Sequence, residues 1–307
     1  MSPWSPEQAP PEGRQAAAAG AMPRPVVLCA DDYALTEGVS RGILDLAQRG
    51  RISATGVMAN MPGWPRLAAP LRGLGRGTVG IGLHMNLTTG APLGRMPGLA
   101  PAGRLPGLRH LLRRVLPASG AARAAMEAEL AAEIARQLDT FEQAHGAAPD
   151  FVDGHQHVHA LPVVRRALLR VLADRYPAGG ARPWLRDPSE GIGAILARGV
   201  SADKALVVAA LSTGFRRAAR AAGFDLNRGF SGFSPLNATT SAARVLERAL
   251  LRPGPRHLVM CHPGHADEAL RALDPAVESR PAELAYLAST AFADLLASRR
   301  VILVPRP

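Results

Sequence analysis

This sequence predicts a single α/β domain of the TIM-barrel-like (β/α) type, with room for distortion of the barrel, and three observations carry that prediction. Short apolar runs alternate with segments of helical periodicity, the pattern of a parallel sheet whose strands are joined by helices. Acidic residues and histidines stand directly after several of those runs, at the strand ends where parallel α/β folds build their sites. No internal repeat or linker divides the 307 residues, and a 47% hydrophobic content supports one large core.

The elements follow in order. Residues 1–24 hold Pro, Gln, Glu and an Ala run, with no basic start leading into an apolar stretch. They read as a disordered N-terminal extension and not as a secretory signal, so the folded domain is expected over 25–307. Val26-Val27-Leu28-Cys29-Ala30 is a continuous apolar run and hence a buried strand, followed at once by Asp31 and Asp32. Val39, Ile43, Leu44 and Leu46 share one face of a helix that stops at Gly50. Ile52–Met58 is the second strand and Val79–Leu83 the third, ending at His84. Residues 90–120, rich in Pro, Gly and Arg, form a long loop with room for one helix. Leu130, Ile134, Leu138 and Phe141 set an amphipathic helix over Met126–His145. Asp150–Asp153 is a brief strand, Pro162–Arg175 a helix, His257–Cys261 a late buried strand ending at His262, Glu283–Ser298 a helix, and Val301–Val304 the last strand.

Bulk properties exclude several classes of function. The net charge of +11 comes almost wholly from arginine, but the arginines are scattered through Ala- and Leu-rich helical stretches such as Arg165, Arg166, Arg170, Arg216, Arg217 and Arg220. No aromatic run lies among them to stack on bases, so no nucleic-acid partner is expected. No apolar stretch approaches the ~20 residues of a membrane span. The two cysteines, Cys29 and Cys261, sit in apolar runs as small buried residues; they imply no disulfide framework and suit a reducing cytoplasm.

Four motifs carry chemistry. Asp31-Asp32 leave their strand toward different sides, because successive side chains alternate; one can hold a metal while the other faces water, or one can simply cap a helix. His84, in Gly82-Leu83-His84-Met85-Asn86, is a metal ligand or a hydrogen-bonded structural residue, with Asn86 placed to support the same rim. Asp153-Gly154-His155-Gln156-His157-Val158-His159 is the strongest local signal, three alternating histidines whose directions diverge as the chain enters a helix. Pro263-Gly264 forces a turn after His262 and exposes its ring, where it could protonate a leaving amine. One aspartate and two histidines leave coordination positions open, as in catalytic metal sites. With a second carboxylate and a further histidine, the parts match metal-assisted amide hydrolysis.

In these residues the chain resembles the YdjC-like carbohydrate deacetylases. The likeness is carried by Asp31-Asp32-Tyr33-Ala34-Leu35, Gly82-Leu83-His84-Met85-Asn86-Leu87-Thr88, the Asp153–His159 block and Met260-Cys261-His262-Pro263-Gly264, in that order along nearly the whole chain. The resemblance implies a TIM-barrel-like deacetylase, one divalent metal ion (Mg²⁺ or Zn²⁺) held by Asp32, His84 and His155, Asp31 as general base and His262 as general acid. It also implies an N-acetylated sugar as substrate, and a late Arg280/Glu283 pair that orients site groups. Assembly as a homodimer is left open. Tyr33-Ala34 stands where the family often has Phe-Gly, and Gln156 where it often has a histidine; both changes fall where substrate shape is read. Segments 90–120 and 176–235 match least and are expected to hold the sugar-selecting loops. Two other readings use the same residues: a catalytically silent carbohydrate-binding protein, or a metal-dependent hydrolase of another amide or a phosphoester.

Overall fold

The first apolar run becomes β1 (Arg24–Tyr33), which extends beyond its apolar stretch at both ends to include the two aspartates. After it come α1 (Glu37–Gln48), β2 (Ala54–Val57), α2 (Trp64–Arg72), β3 (Gly80–Met85), α3 (Leu108–Val115) and α4 (Gly120–His145). β4 (Phe151–Gly154) passes through a 3₁₀ turn (His155–Ala160) into α5 (Pro162–Arg175) and β5 (Trp184–Leu185). The chain continues with α6 (Ile192–Arg198), α7 (Ala202–Leu211), α8 (Phe215–Ala221), β6 (Phe230–Ser231), α9 (Ala242–Ala249), β7 (His257–Cys261), α10 (Glu268–Leu273), α11 (Ser279–Ala288), α12 (Thr290–Arg299) and β8 (Val301–Leu303). This computed structural model describes residues 22–75 and 77–307, so the expected extension lies, up to residue 21, outside the described residues.

The eight strands pair only in parallel, in the order β5-β4-β3-β2-β1-β7-β6. β8 pairs with the first residues of β1, Arg24–Val26, while β2 takes the later ones. The sheet curls, but its edge strands β5 and β6 are two residues each, and the seam between them carries only an isolated bridge, Leu185 to Leu226. The expected TIM-like ring is thus a parallel half-barrel. Strands this short cannot sustain the continuous hydrogen-bond ladder that a closed eight-strand ring requires.

Side-chain alternation along the strands divides the core in two. Val26, Leu28 and Ala30 face the helices, where they join Ile43, Leu46, Leu83, Ile134, Leu138, Val152 and Leu168. Val27, Cys29, Phe151, Trp184, Phe230, Leu258 and Met260 fill the inside of the curl. Phe151 stacks on Trp184 with centroids 4.6 Å apart. Gly82 leaves room for that ring: a Cβ there would stand 2.5 Å from Phe151.

At the level of elements the structure also departs from the sequence reading, which named neither α9 nor α10. α2 begins beside Pro65 and contains Pro70, and such a sequence carries little helical signal of its own; it is held by Trp64, which is buried and stacked on Phe141 of α4. The helix expected over Glu283–Ser298 is two helices, because Ser289 leaves helical geometry and its hydroxyl accepts from Phe292 N–H, capping α12. Segment 176–235, for which the sequence reading named no strand or helix, holds β5, α6, α7, α8 and β6 with the loops between them.

Candidate active site

The parity that sorts the core also selects the site. Positions 27 and 29 point inside the curl, so 31 does as well; 151 leads to 153 and 155, 184 to 186, and 258 and 260 to 262. Asp31 in β1 and Asp153 in β4 therefore lie on the interior faces near the carboxyl ends of their strands, and His155, Arg186 and His262 continue those faces one residue past β4, β5 and β7. Strand alternation alone would send Asp32 to the opposite side from Asp31. Instead the register between β1 and β2 slips between Ala30 and Tyr33, and Asp32 adopts a left-handed φ of 73°. This bulge re-aims the second carboxylate, and both aspartates line one cleft. Ala34 (φ 72°), Gln156 (φ 54°) and His157 (φ 59°) share the left-handed conformation, so strained backbone gathers around the site.

The cleft has a volume of about 590 Å³. At its base, one ligand-type atom from each of Asp32, His84 and His155 lies within 4.8 Å of the others. Asp32 Oδ1 is 2.9 Å from His155 Nδ1 and 3.4 Å from His84 Nε2. The other oxygen, Oδ2, accepts from Arg280 Nη2 at 2.6 Å, and the same nitrogen reaches Asp274 Oδ2 at 2.9 Å. Arg280 thus leaves Asp32 a single oxygen for the histidines. The second nitrogen of His84, Nδ1, sits 2.6 Å from Asp153 Oδ1, a carboxylate that fixes the ring's orientation. Gly56 makes room for this imidazole, since a Cβ there would lie 3.0 Å from His84 Cβ.

Asp31 occupies a different setting. Arg186 Nη1 and Nη2 donate to its two oxygens at 2.6 Å each, a bidentate clamp. The guanidinium is fully buried; Nη2 also lies 2.5 Å from Asp153 Oδ2 and 3.0 Å from Cys29 Sγ. Cys29, Asp31 and Asp153 form a second group of ligand-type atoms, and Arg186 already fills the space between them. His262 lines the same cleft; its backbone N–H donates to Glu283 Oε2 at 2.6 Å, and its Nδ1 makes no hydrogen bond within the protein.

Electrostatics sets these groups apart. Burial opposes ionisation of Asp31, but Arg186 overrides it and holds the carboxyl well below its usual range. Asp32 is likewise held low against burial, by Arg280 and His155. Burial alone would strip the proton from His84; the Asp153 and Asp31 carboxylates reverse that and push its pKa up to about 10. Carboxylates concentrated here favour positive charge on a group that can also bind a cation through nitrogen.

The alternating histidines diverge as expected. His155 meets Asp32, His157 packs edge-on against Phe230 and Phe233, and His159 Nε2 donates to Arg186 O at 2.8 Å. His159 is thus a support for the Arg186 backbone. Asn86 closes its own loop: its Oδ1 accepts from Thr88 N and Thr89 N, and its Nδ2 donates to Asn60 Oδ1. The role of Asp153 and the whole of Arg186 escaped the sequence reading. Arg186 stands one residue past a strand, the rule that found the other residues, but a strand of two residues leaves no periodic signal.

Fold and cleft together define the class: a parallel α/β protein with a cleft of carboxylates and imidazoles at its strand ends. The model of the family described as YdjC-like protein matches residues 25–298, and the chain belongs to this family. It is 34% identical over 167 residues to a carbohydrate deacetylase of Geobacillus stearothermophilus, a stretch covering 53% of this chain and 63% of that protein. It is 34% identical over 145 residues to a chitooligosaccharide deacetylase of Serratia marcescens, covering 47% and 53%. The chain therefore spans little more than half the length of these curated relatives. A solved structure from Enterococcus faecalis V583, described as a cellobiose-phosphate cleavage protein, superposes with a TM-score of 0.67 at 19% identity, over 92% of this chain and 97% of that one, and shows the same fold. Among the described residues no helix is long and apolar enough to cross a membrane.

Proposed function

We propose that this protein is a metal-dependent deacetylase that hydrolyses the acetamide of an N-acetylated sugar and releases acetate. The observation that carries the reading is the meeting of Asp32, His84 and His155 at the base of a cleft that also holds Asp31 and His262. The family membership and the names of the relatives support the same chemistry.

The donor set fits a divalent cation. One carboxylate oxygen and two imidazole nitrogens suit Zn²⁺ and similar ions by ligand type, while Mg²⁺ favours more oxygen. The carboxylate behind His84 is the usual support for a metal-binding histidine. When bound, the cation supplies Lewis acidity, making water more acidic and polarising a carbonyl.

The protein's own groups do the rest. Asp31, kept ionised and immobile by Arg186, accepts the proton of the attacking water with the lone pairs that face the cleft. His262, whose Nδ1 is committed to no partner in the protein, delivers a proton to the departing nitrogen. Arg280 holds Asp32 in place and neutralises its second oxygen.

The test is acetate release from N-acetylglucosamine and N,N′-diacetylchitobiose by protein stripped with a chelator and then supplied with Zn²⁺ or Mg²⁺. Acetate should appear only after metal is restored. Phosphatase activity with no acetate from either sugar would replace this reading with a phosphoesterase.

A further inference from the structure

The chain's basic residues are unevenly typed. Of the 36 lysines and arginines, one is a lysine, Lys204. Among the described residues two of these line the cleft, and that single lysine is one of them. The other, Arg280, is engaged with Asp32 and Asp274. Lys204 lies on the first turn of α7, exposed, and its Nζ donates to Ser234 O at 3.1 Å, which leaves two N–H donors unspent. An ammonium is compact and directs its three donors tetrahedrally, whereas a guanidinium is longer and planar. A surface charge alone would be served by arginine, as it is at every other basic position of this chain. Around Lys204 the same wall offers an acceptor in Asp203 and apolar surface in Val207, Val208, Phe233 and Leu236. Donor, acceptor and apolar face together are what a pyranose ring presents partners for.

We propose, resting on the deacetylase reading, that this wall is a second sugar subsite in which the Lys204 ammonium donates to oxygens of the unit next to the one that loses its acetyl group. Lys204→Met keeps the length of the stem and removes the donors. It should raise KM for N,N′-diacetylchitobiose by roughly 10-fold or more, the loss expected for a hydrogen bond from a charged group. kcat should stay within about twofold, and KM for N-acetylglucosamine should not move. Lys204→Arg should not restore the disaccharide KM. Because Lys204 is the only side-chain amine, acetylating the full chain with an amine-selective reagent and reading the Lys204 peptide by mass spectrometry follows occupancy without turnover. The disaccharide should slow that modification and the monosaccharide should not.

Unchanged KM in Lys204→Met, or equal modification with and without disaccharide, overturns the subsite. So does a fall in kcat on both sugars with a lowered unfolding midpoint, which would make Lys204 a clip between α7 and the Ser234 loop. Protection of Lys204 in a protein that releases no acetate would instead overturn the deacetylase reading and leave the subsite standing.

Discussion

At the scale of single residues, the two adjacent aspartates differ by what holds them. Asp32 spends one oxygen on Arg280 and turns the other to two imidazoles; Asp31 is clamped at both oxygens by Arg186. Asp31→Asn should retain cation binding, measured by metal content, while turnover falls about a hundred- to ten-thousandfold, the usual range for a lost general base. Retained turnover would remove Asp31 from the proposed mechanism. Arg186→Met should act on the fold as well, because it leaves the buried Asp31 and Asp153 without their common counter-ion. Breaking one side of a buried ion pair costs roughly 3–5 kcal/mol, and urea unfolding of the variant measures it. Asp31 and Asp32 could be nominated from the chain alone, since they follow a strongly apolar strand. Their opposite surroundings could not, because Arg186 and Arg280 lie 155 and 248 positions away.

At the scale of elements, strand alternation turns an apolar interior into a polar rim. β7 shows both ends of the effect: Leu258 and Met260 fill the curl, His262 stands at the cleft, and His257 is buried at the strand's start. Gly254 N–H donates to His257 Nδ1 at 3.1 Å, which makes Nε2 the protonated nitrogen, 2.8 Å from Ser231 Oγ. Ser231 passes its own hydrogen to Ala249 O. Burial, reinforced by Arg198, lowers the His257 pKa from 6.5 to about 3. The sign of the linkage follows. Below pH 6.5 the unfolded chain takes up a proton that the folded chain refuses, so stability is lost as pH falls from about 6.5 toward 3. Each pH unit in that window costs about 1.4 kcal/mol for one such group. His257→Gln cannot titrate, and its unfolding free energy between pH 6 and 5 should fall by about that much less than the parent's. Parallel slopes would show that His257 is not the group responsible. Elements with strong periodicity, such as α4 and α5, were readable from sequence. β5, β6 and α2 were not, because two-residue strands and a proline-containing helix are stabilised by their neighbours rather than by their own pattern.

At the scale of the whole molecule, the half-barrel gathers ligand-type groups from three strand ends into one place. A cation bound there stabilises the folded form alone, because the unfolded chain scatters Asp32, His84 and His155. At a free metal concentration 100 times Kd, the linkage is worth about 2.7 kcal/mol. Chelator treatment should therefore lower the unfolding midpoint, and Zn²⁺ or Mg²⁺ should restore it in parent protein but not in His84→Ala. An unfolding midpoint indifferent to both treatments would count against any cation at this position.

What the chain determined by itself was local: which runs are apolar enough to be strands, which faces of helices are buried, and which polar residues come directly after a strand. Those are properties of neighbouring residues, and hydrophobic period and turn chemistry report them. What only the tertiary structure decided was long-range: the open seam between β5 and β6, the bulge that turns Asp32 into the cleft, and the placing of Arg186, Asp153 and Arg280 against the two aspartates. The physical reason is that a buried charge is governed by whichever opposite charge folding brings to it, and no local pattern encodes that partner.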